Sequence, residues 1–520
     1  MAGTTDTTDV LVVGSGIAGC AAALAAARGG ADVLVLTKAE RPDDASTDWA
    51  QGGISTTRGD PDSLKRDVLA ASDATADPDA VDVLVEHADD AVEDVLLETL
   101  EIEFDGEDGE FDYAREAAHS ENRILHVDAA TGTHILRPFL NYLDDHERIE
   151  VRQDTAALEL LTHEGRVHGV VSDEAPAGRP IFAGRTILAT GGIGALYTRS
   201  TNPADATGDG IAMAALAGAA VEDMEYVQFH PTAFAGGESE RFPDENGGTF
   251  LLSEALRGEG ALLRNGDGDR FMDDYHSDAE LAPRDVVARA VATEREETGE
   301  VVLDVSPLEF DVAFPTIARN CRDRGIDGDE IPVAPCEHFL CGGIDVDDRG
   351  RTTLDRLYAV GECARTGVHG ANRLASTSLL EGLVWGLRAG EAAADSDATP
   401  EVVEAPDLLN SDPDLPDRFA AEKFVRLNRT MDEYLGLERD PDEIARAGAV
   451  LRRLKGEVDA YVRTRTSRDL YELRNASITA LLIARAASEN HESKGCHYLV
   501  DSDDARSTDA ETETEPPAGD

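Results

Sequence analysis

Lysine is scarce in this chain. Lys38, Lys65, Lys423, Lys455 and Lys494 are all it has, so arginine supplies nearly all of the positive charge. The 47 basic residues are outnumbered by 105 acids, for a net charge of −58. Nucleic acid needs a basic footprint, so no nucleic-acid partner is expected. The acids are spread over every segment, which fits the solvated coat that keeps halophilic proteins soluble in high salt. Paired cysteines are missing too. Cys20, Cys321, Cys336, Cys341, Cys363 and Cys496 form no CxxC and no paired spacing. A disulfide framework is not expected, and a reducing cytoplasm suits the chain. The opening MAGTTDTTD lacks a basic region and does not read as a signal peptide. The one long uncharged run, 18 residues at 10–27, has the length of a short membrane span. Its Gly14, Ser15, Gly16 and Gly19 and its many alanines divide it instead into strand, turn and helix, so no membrane partner is expected.

With 520 residues, 41% of them hydrophobic, the chain has material for several domains and a large core. Residues 9–13 (DVLVV) read as a buried parallel strand, 14–19 as a turn, 20–28 as an alanine-rich helix and 32–36 as a second strand. Similar strands return at 185–190 and 357–360 and run into Gly191-Gly192 and Gly361. One sheet is therefore expected from two distant parts of the chain. The expected domains are 1–237 and 336–400 for the sheet and 238–335 for an insertion that begins after the loop 235–248. A helical domain follows over 408–500, after a linker rich in Pro and Asp at 395–417. The tail 501–520, with eight acids and one arginine, is expected to be disordered.

Gly14-Ser15-Gly16-Ile17-Ala18-Gly19 is a G-x-G-x-x-G turn between a strand and a helix, where glycines let a pyrophosphate approach the helix N-terminus. The bland alternative is a glycine-rich turn with no ligand. The acid that usually ends the second strand in an NAD fold is replaced by Thr37-Lys38. Further polar or glycine-rich loops lie at 45–53 (with Ser46, Thr47, Ala50, Gln51, Gly52 and Gly53), at Gly361-Glu362 and at 369–379 (ending in Ser378-Leu379). Several such loops converging from distant sequence suit a long cofactor such as FAD. The expected fold is α/β: a Rossmann-like FAD-binding domain interrupted by an α+β capping domain and followed by a C-terminal helical bundle.

Motifs at GSGIAG, 50–54 (AQGGI), 206–210 (ATGDG), 228–232 (QFHPT), 251–261 (LLSEALRGEGA), 283–285 (PRD), 338–344 (HFLCGGI) and 369–386 (HGANRLASTSLLEGLVWG) carry a close resemblance. The chain resembles the succinate dehydrogenase/fumarate reductase flavoprotein family over roughly residues 9–390. The resemblance implies FAD, with Lys38 and Asp209 among its contacts, and a four-carbon dicarboxylate substrate. His230, His338 and Arg373 would hold the carboxylates, with Ser253 assisting. Arg284 would donate or accept the proton, although arginine ordinarily stays protonated. Glu254 and Arg257 would form a proton relay or a structural ion pair. Taken alone, His230 reads as a core histidine and Arg373 as a salt-bridge residue. Cys336, His338 and Cys341 have a spacing that could bind zinc, but the resemblance assigns His338 to substrate, so no metal is expected.

Two positions narrow the reading. Where respiratory members carry a flavin-linking histidine, this chain has Ser46, which implies noncovalent FAD. Glu116, in AREAAHS, resembles the glutamate that faces the amino group in the aspartate-oxidising branch, although Ala117-Ala118 replaces two glycines. A substrate ammonium among arginines needs such a carboxylate. The implied reaction takes L-aspartate to iminosuccinate, with oxygen or fumarate as acceptor, and supplies quinolinate synthase in NAD synthesis. The alternatives are a soluble fumarate reductase, a succinate dehydrogenase flavoprotein subunit, or a non-catalytic nucleotide-holding scaffold.

Overall fold

Strands Asp6–Val13 and Val33–Leu36 pair in parallel, and helix Ile17–Arg28 crosses between them. Their Val/Leu runs are buried on both faces, as a covered parallel sheet requires. The structure, a computed structural model, describes residues 6–107, 109–128, 130–235, 249–395, 399–406, 408–410 and 418–500. The tail 501–520 and most of the loop 235–248 lie outside the described residues.

The main sheet has seven strands. Arg179–Leu188 lies at its centre, parallel to Asp6–Val13 with Val13 beside Leu188. The other edge of Arg179–Leu188 is shared. Its first half pairs antiparallel with Arg166–Ser172, and its last residues pair in parallel with Leu357–Ala359. The strand that follows the insertion thus completes the sheet begun before it.

The sequence places the first helix at 20–28, but it begins at Ile17. Gly19 lies inside the helix and is glycine because a Cβ there would come within 2.1 Å of the Gly14 carbonyl oxygen. Close packing, not turn formation, calls for this glycine. Helix Ser378–Ala394 packs on the same helix through Gly382, Gly386 and Gly390. A Cβ at Gly386 would stand 2.5 Å from Ala18 O, and one at Gly390 2.2 Å from Ala22 O. This stripe at i, i+4 and i+8 brings Ser378 and Leu379 down beside the Gly14–Gly16 turn.

The insertion forms an antiparallel four-stranded sheet in the order Val227–Phe234, Glu330–Leu340, Val301–Asp304, Leu262–Asn265. Helix Arg284–Thr298 covers it over a core that includes Phe234, Leu263, Val291 and Ile331. The strand Glu330–Leu340 passes through residue 335 and ties this sheet to the flavin half of the molecule. Helices Phe419–Tyr434, Pro441–Val462 and Arg468–Glu489 follow, and their core residues Leu427, Leu451 and Ile483 continue the one beneath Leu11 and Leu34. Among the described residues, no helix is long and apolar enough to cross a membrane.

Candidate active site

A cavity of about 510 Å³ opens at the N-terminus of helix Ile17–Arg28, a size that suits a ligand. Gly14 turns the chain there with φ +114°, and a Cβ on it would meet Ala189 O at 2.0 Å. Of the residues singled out for cofactor binding, Gly14, Ser15, Gly16, Ala18, Lys38, Ser46, Thr47, Ala50, Gln51, Asp209, Glu362, Ser378 and Leu379 line this cavity. Gly19, Gly52 and Gly53 are not in its lining. Gly19 packs on Gly14, Gly52 on the Glu116 carboxylate and Gly53 on the backbone of Leu125.

The lining fits FAD. The helix has no acid in its first turn; Ile17 N–H donates to Thr47 Oγ1 at 3.2 Å, and the dipole and the next N–H groups favour an anion there. Gln51 Oε1 is buried in the cavity wall without a protein partner. Lys38 is already paired: Nζ lies 2.8 Å from Asp209 Oδ2 and 3.1 Å from Glu472 Oε1 of the helical domain. Burial opposes its charge, but Asp209 and Glu472 outweigh that and raise its pKa. The second-strand acid is absent because Thr37 stands there and accepts a hydrogen bond from the Ser15 hydroxyl at 2.9 Å.

The predicted substrate residues converge where the insertion meets Ser378–Ala394. Arg284 opens helix Arg284–Thr298 and donates from Nη1 to Gln228 Oε1 at 2.8 Å. Arg373 Nε lies 3.4 Å from the same oxygen, and its Nη2 donates to His338 Nε2 at 2.8 Å. The His338 and His230 rings stand 5.2 Å apart on paired strands. Glu254 Oε1 lies 2.6 Å from Arg257 Nη2 and 3.0 Å from Arg284 Nε, so one buried carboxylate bridges two guanidinium groups. Ser253 caps the helix Glu254–Gly258 by accepting from Ala255 N at 3.3 Å. Glu116 is buried, with Ser376 Oγ 2.5 Å from its Oε2.

Protonation follows from these contacts. His230 Nδ1 accepts from Thr232 N at 3.2 Å, and its buried Nε2 has no partner. Burial and the charges of Arg284, Arg257 and Arg373 hold its pKa well below the usual histidine value. The ring is neutral at pH 7 and presents a free Nε2–H. Burial, Arg284 and Arg373 depress His338 in the same way. Since its Nε2 accepts from Arg373, its Nδ1 carries the hydrogen and donates to Thr201 Oγ1 at 2.6 Å. Burial pushes Glu254 up, but Arg284 and Arg257 overcome it and hold the carboxyl at about 2. Burial, reinforced by Glu254, raises Glu116. Burial and Arg284 lower Arg373 to about 10, still cationic at pH 7.

Several site residues escaped the sequence reading. Gln228 links Arg284 to Arg373 and is itself held by Asn372 Oδ1 at 2.7 Å. Thr201 accepts the His338 Nδ1 hydrogen at 2.6 Å, and the Arg373 guanidinium lies 4.2 Å from the centre of the Phe339 ring. Gln228, Asn372 and Ser376 lie inside motifs that were visible; no pattern marks Thr201.

The chain is similar to proteins of known kind. A family model described as an FAD binding domain matches residues 9–379. A curated L-aspartate oxidase of Halobacterium salinarum is 67% identical over 99% of this chain and 99% of its own length. One of Streptomyces coelicolor is 39% identical over 96% of this chain and 90% of its own. Among solved structures, the E. coli quinol fumarate reductase FrdA aligns with a TM-score of 0.85 at 28% identity, over 96% of this chain and 92% of that one. Mycobacterium smegmatis Sdh1 aligns at 0.79 and 29% identity, over 95% and 89%.

Proposed function

The chain belongs to the L-aspartate oxidase family of FAD-binding flavoproteins, and on that premise we propose how its residues carry out the FAD-dependent oxidation of L-aspartate. When bound in this cavity, FAD would supply the acceptor for the substrate's hydride and a route for its electrons to the second substrate. Ser46 leaves no histidine to link it, so the cofactor is held without a covalent bond. Arg373 grips a substrate carboxylate, arginine being the strongest donor for that geometry, and Arg284 lies near the reacting carbons. Neutral His230 donates its free Nε2–H, and His338 steers the Arg373 guanidinium. The Ser253 hydroxyl supplies a further donor.

Glu116 meets the substrate ammonium and selects an amino dicarboxylate. Loss of a hydride from Cα and of protons from nitrogen leaves the C=N bond of iminosuccinate. When fumarate is the acceptor, Arg284 gives a proton to the reacting carbon, and Glu254 with Arg257 either restores it or fixes Arg284 as an ion pair. Oxygen is the other acceptor, with peroxide as its product. This oxidation is the first step of NAD synthesis in the cytoplasm, and its iminosuccinate feeds quinolinate synthase.

The observation that carries this reading is the continuous set Glu254–Arg284–Gln228–Arg373–His338–His230 with the buried Glu116 carboxylate inside its electrostatic reach. The test is to purify the protein in high salt, precipitate it with acid, and mix the holoprotein anaerobically with L-aspartate or succinate. Free flavin in the supernatant and bleaching of the flavin band by L-aspartate alone are expected. Bleaching by succinate alone would move the protein to the respiratory branch, and flavin retained in the pellet would refute noncovalent binding.

A further inference from the structure

Among the described residues, Ser376 is the one hydrogen-bond donor to the Glu116 carboxylate. Its position is built rather than incidental. Ser376 has φ +55°, a region that L side chains rarely adopt. Its carbonyl is held there by both the N–H and the hydroxyl of Ser55, each at 3.0 Å. The facing loop is equally constrained. Ala118 turns it with φ +66°. His119, kept neutral by burial with its pKa near 4, donates from Nε2 to Ala375 O at 3.0 Å. Gly52 closes another side, where a Cβ would stand 2.1 Å from Glu116 Oε1. Backbone on one side and the Ser376 hydroxyl on the other thus fix the direction of this carboxylate.

We propose that Ser376 is a positioning residue that sets the preference of the site for an amino dicarboxylate over a plain one. The proposal rests on the reading of Glu116 as the group that meets the substrate ammonium. A hydroxyl donated to Oε2 stabilises the ionised form and leaves Oε1 for the ammonium. Without that bond, burial and the nearby Glu254 favour proton uptake by Glu116. A neutral carboxyl has no charge to offer an ammonium.

The test compares the parent holoenzyme with Ser376→Ala, Ser376→Gly, Glu116→Gln and the double variant Glu116→Gln/Ser376→Ala. Anaerobic flavin bleaching gives the apparent affinity for L-aspartate separately from the limiting rate. Succinate affinity is read from the shift of the flavin band, and both are followed against pH. Glycine at 376 accepts the positive φ without strain, so agreement between the alanine and glycine variants isolates loss of the hydroxyl. Both are expected to weaken L-aspartate binding by roughly tenfold or more at pH 7, with no loss of succinate binding, which a protonated Glu116 favours. The pH needed for L-aspartate binding should move upward, and the deficit should shrink at high pH, where Glu116 ionises unaided. The double variant should bind L-aspartate no worse than Glu116→Gln alone. If both Ser376 variants keep the parental preference and pH profile while Glu116→Gln loses the preference, the proposal for Ser376 fails and the reading of Glu116 stands. If Glu116→Gln keeps the preference, the reading of Glu116 fails, and the proposal with it.

Discussion

Gly52 and Gly53 are adjacent, yet alanine at each should do damage of a different kind. Neither has positive φ, so the backbone itself accepts alanine at both. At Gly53 the added Cβ would stand 2.3 Å from Leu125 O and 2.5 Å from Ile124 Cγ2. Those atoms belong to the strand that pairs with Ile54–Ser55, so the sheet must spread. Overpacking of that kind costs about 1–3 kcal/mol of stability. At Gly52 the Cβ would meet Glu116 Oε1 at 2.1 Å. An ordinary C···O contact is about 3.3 Å, so the oxygen must withdraw by roughly 1 Å. A carboxylate at the end of a side chain can swing away at little cost to folding. Swinging away breaks the bond from Ser376, and a hydrogen bond to a charged group is worth about 1.5–3 kcal/mol. Gly52→Ala should therefore fold like the parent and lose roughly tenfold to a hundredfold in the ratio of L-aspartate to succinate affinity. Gly53→Ala should unfold at lower denaturant with that ratio kept. Urea melts and anaerobic flavin titrations read the two quantities separately. A Gly52→Ala protein that keeps its preference for L-aspartate would refute the placement of Glu116 at the substrate.

Two other outcomes follow. Glu254→Gln leaves Arg257 and Arg284, with side chains 0% and 8% exposed, without their shared anion; a loss of about 3–5 kcal/mol in a urea melt is expected, together with slower flavin bleaching, and an unchanged melt would mean that water reaches the pair. Because L-aspartate, with one net negative charge at pH 7, must approach a protein of net charge −58, the second-order rate of flavin bleaching should rise as salt is raised to about 1 M, where the Debye length is about 3 Å, whereas a fall would show that the site arginines, not the acidic coat, govern approach.

The nucleotide half of the molecule was legible because glycine is irreplaceable where backbones touch. Gly14, Gly386 and Gly390 leave a record in sequence, since a Cβ at those places would strike the backbone oxygens of Ala189, Ala18 and Ala22. The same signal misled at the first helix. A glycine reads as a turn, but Gly19 is helical and packs on Gly14, so the helix starts at Ile17 and not at residue 20. The arginines and histidines of the substrate half stood out as chemistry. Their supports did not. Gln228, Thr201 and Ser376 are short and neutral, and their importance depends on partners brought in from 145, 137 and 260 residues away. Lys38 shows the same limit. Its nearness to the cofactor cavity was legible, but its pairing with Glu472, 434 residues on in the helical domain, was not.

The charges of the site predict how two different ligands can share it. Arg257, Arg284 and Arg373 bring three positive charges, Glu254 brings one negative, and His230 and His338 are neutral. The sum, +2, balances fumarate or succinate, each a dianion, only while Glu116 is protonated. L-Aspartate at pH 7 carries one negative charge net, and it balances the site only when Glu116 is ionised. A buried carboxyl needs such neutrality, because an uncompensated charge there is costly. Burial and Glu254 raise the Glu116 pKa, so its acid form persists to higher pH than that of an exposed glutamate. The sign is then fixed for each ligand. As pH rises through the Glu116 pKa, L-aspartate should bind more tightly and succinate less tightly. Each affinity should change by up to tenfold per pH unit within that window, as one coupled proton requires. Calorimetry in buffers of different ionisation enthalpy should detect proton uptake with succinate and proton release with L-aspartate, and Glu116→Gln should abolish both. Parallel pH slopes for the two ligands would show that Glu116 keeps one protonation state throughout, and the balance of charge would then have to be struck by another group.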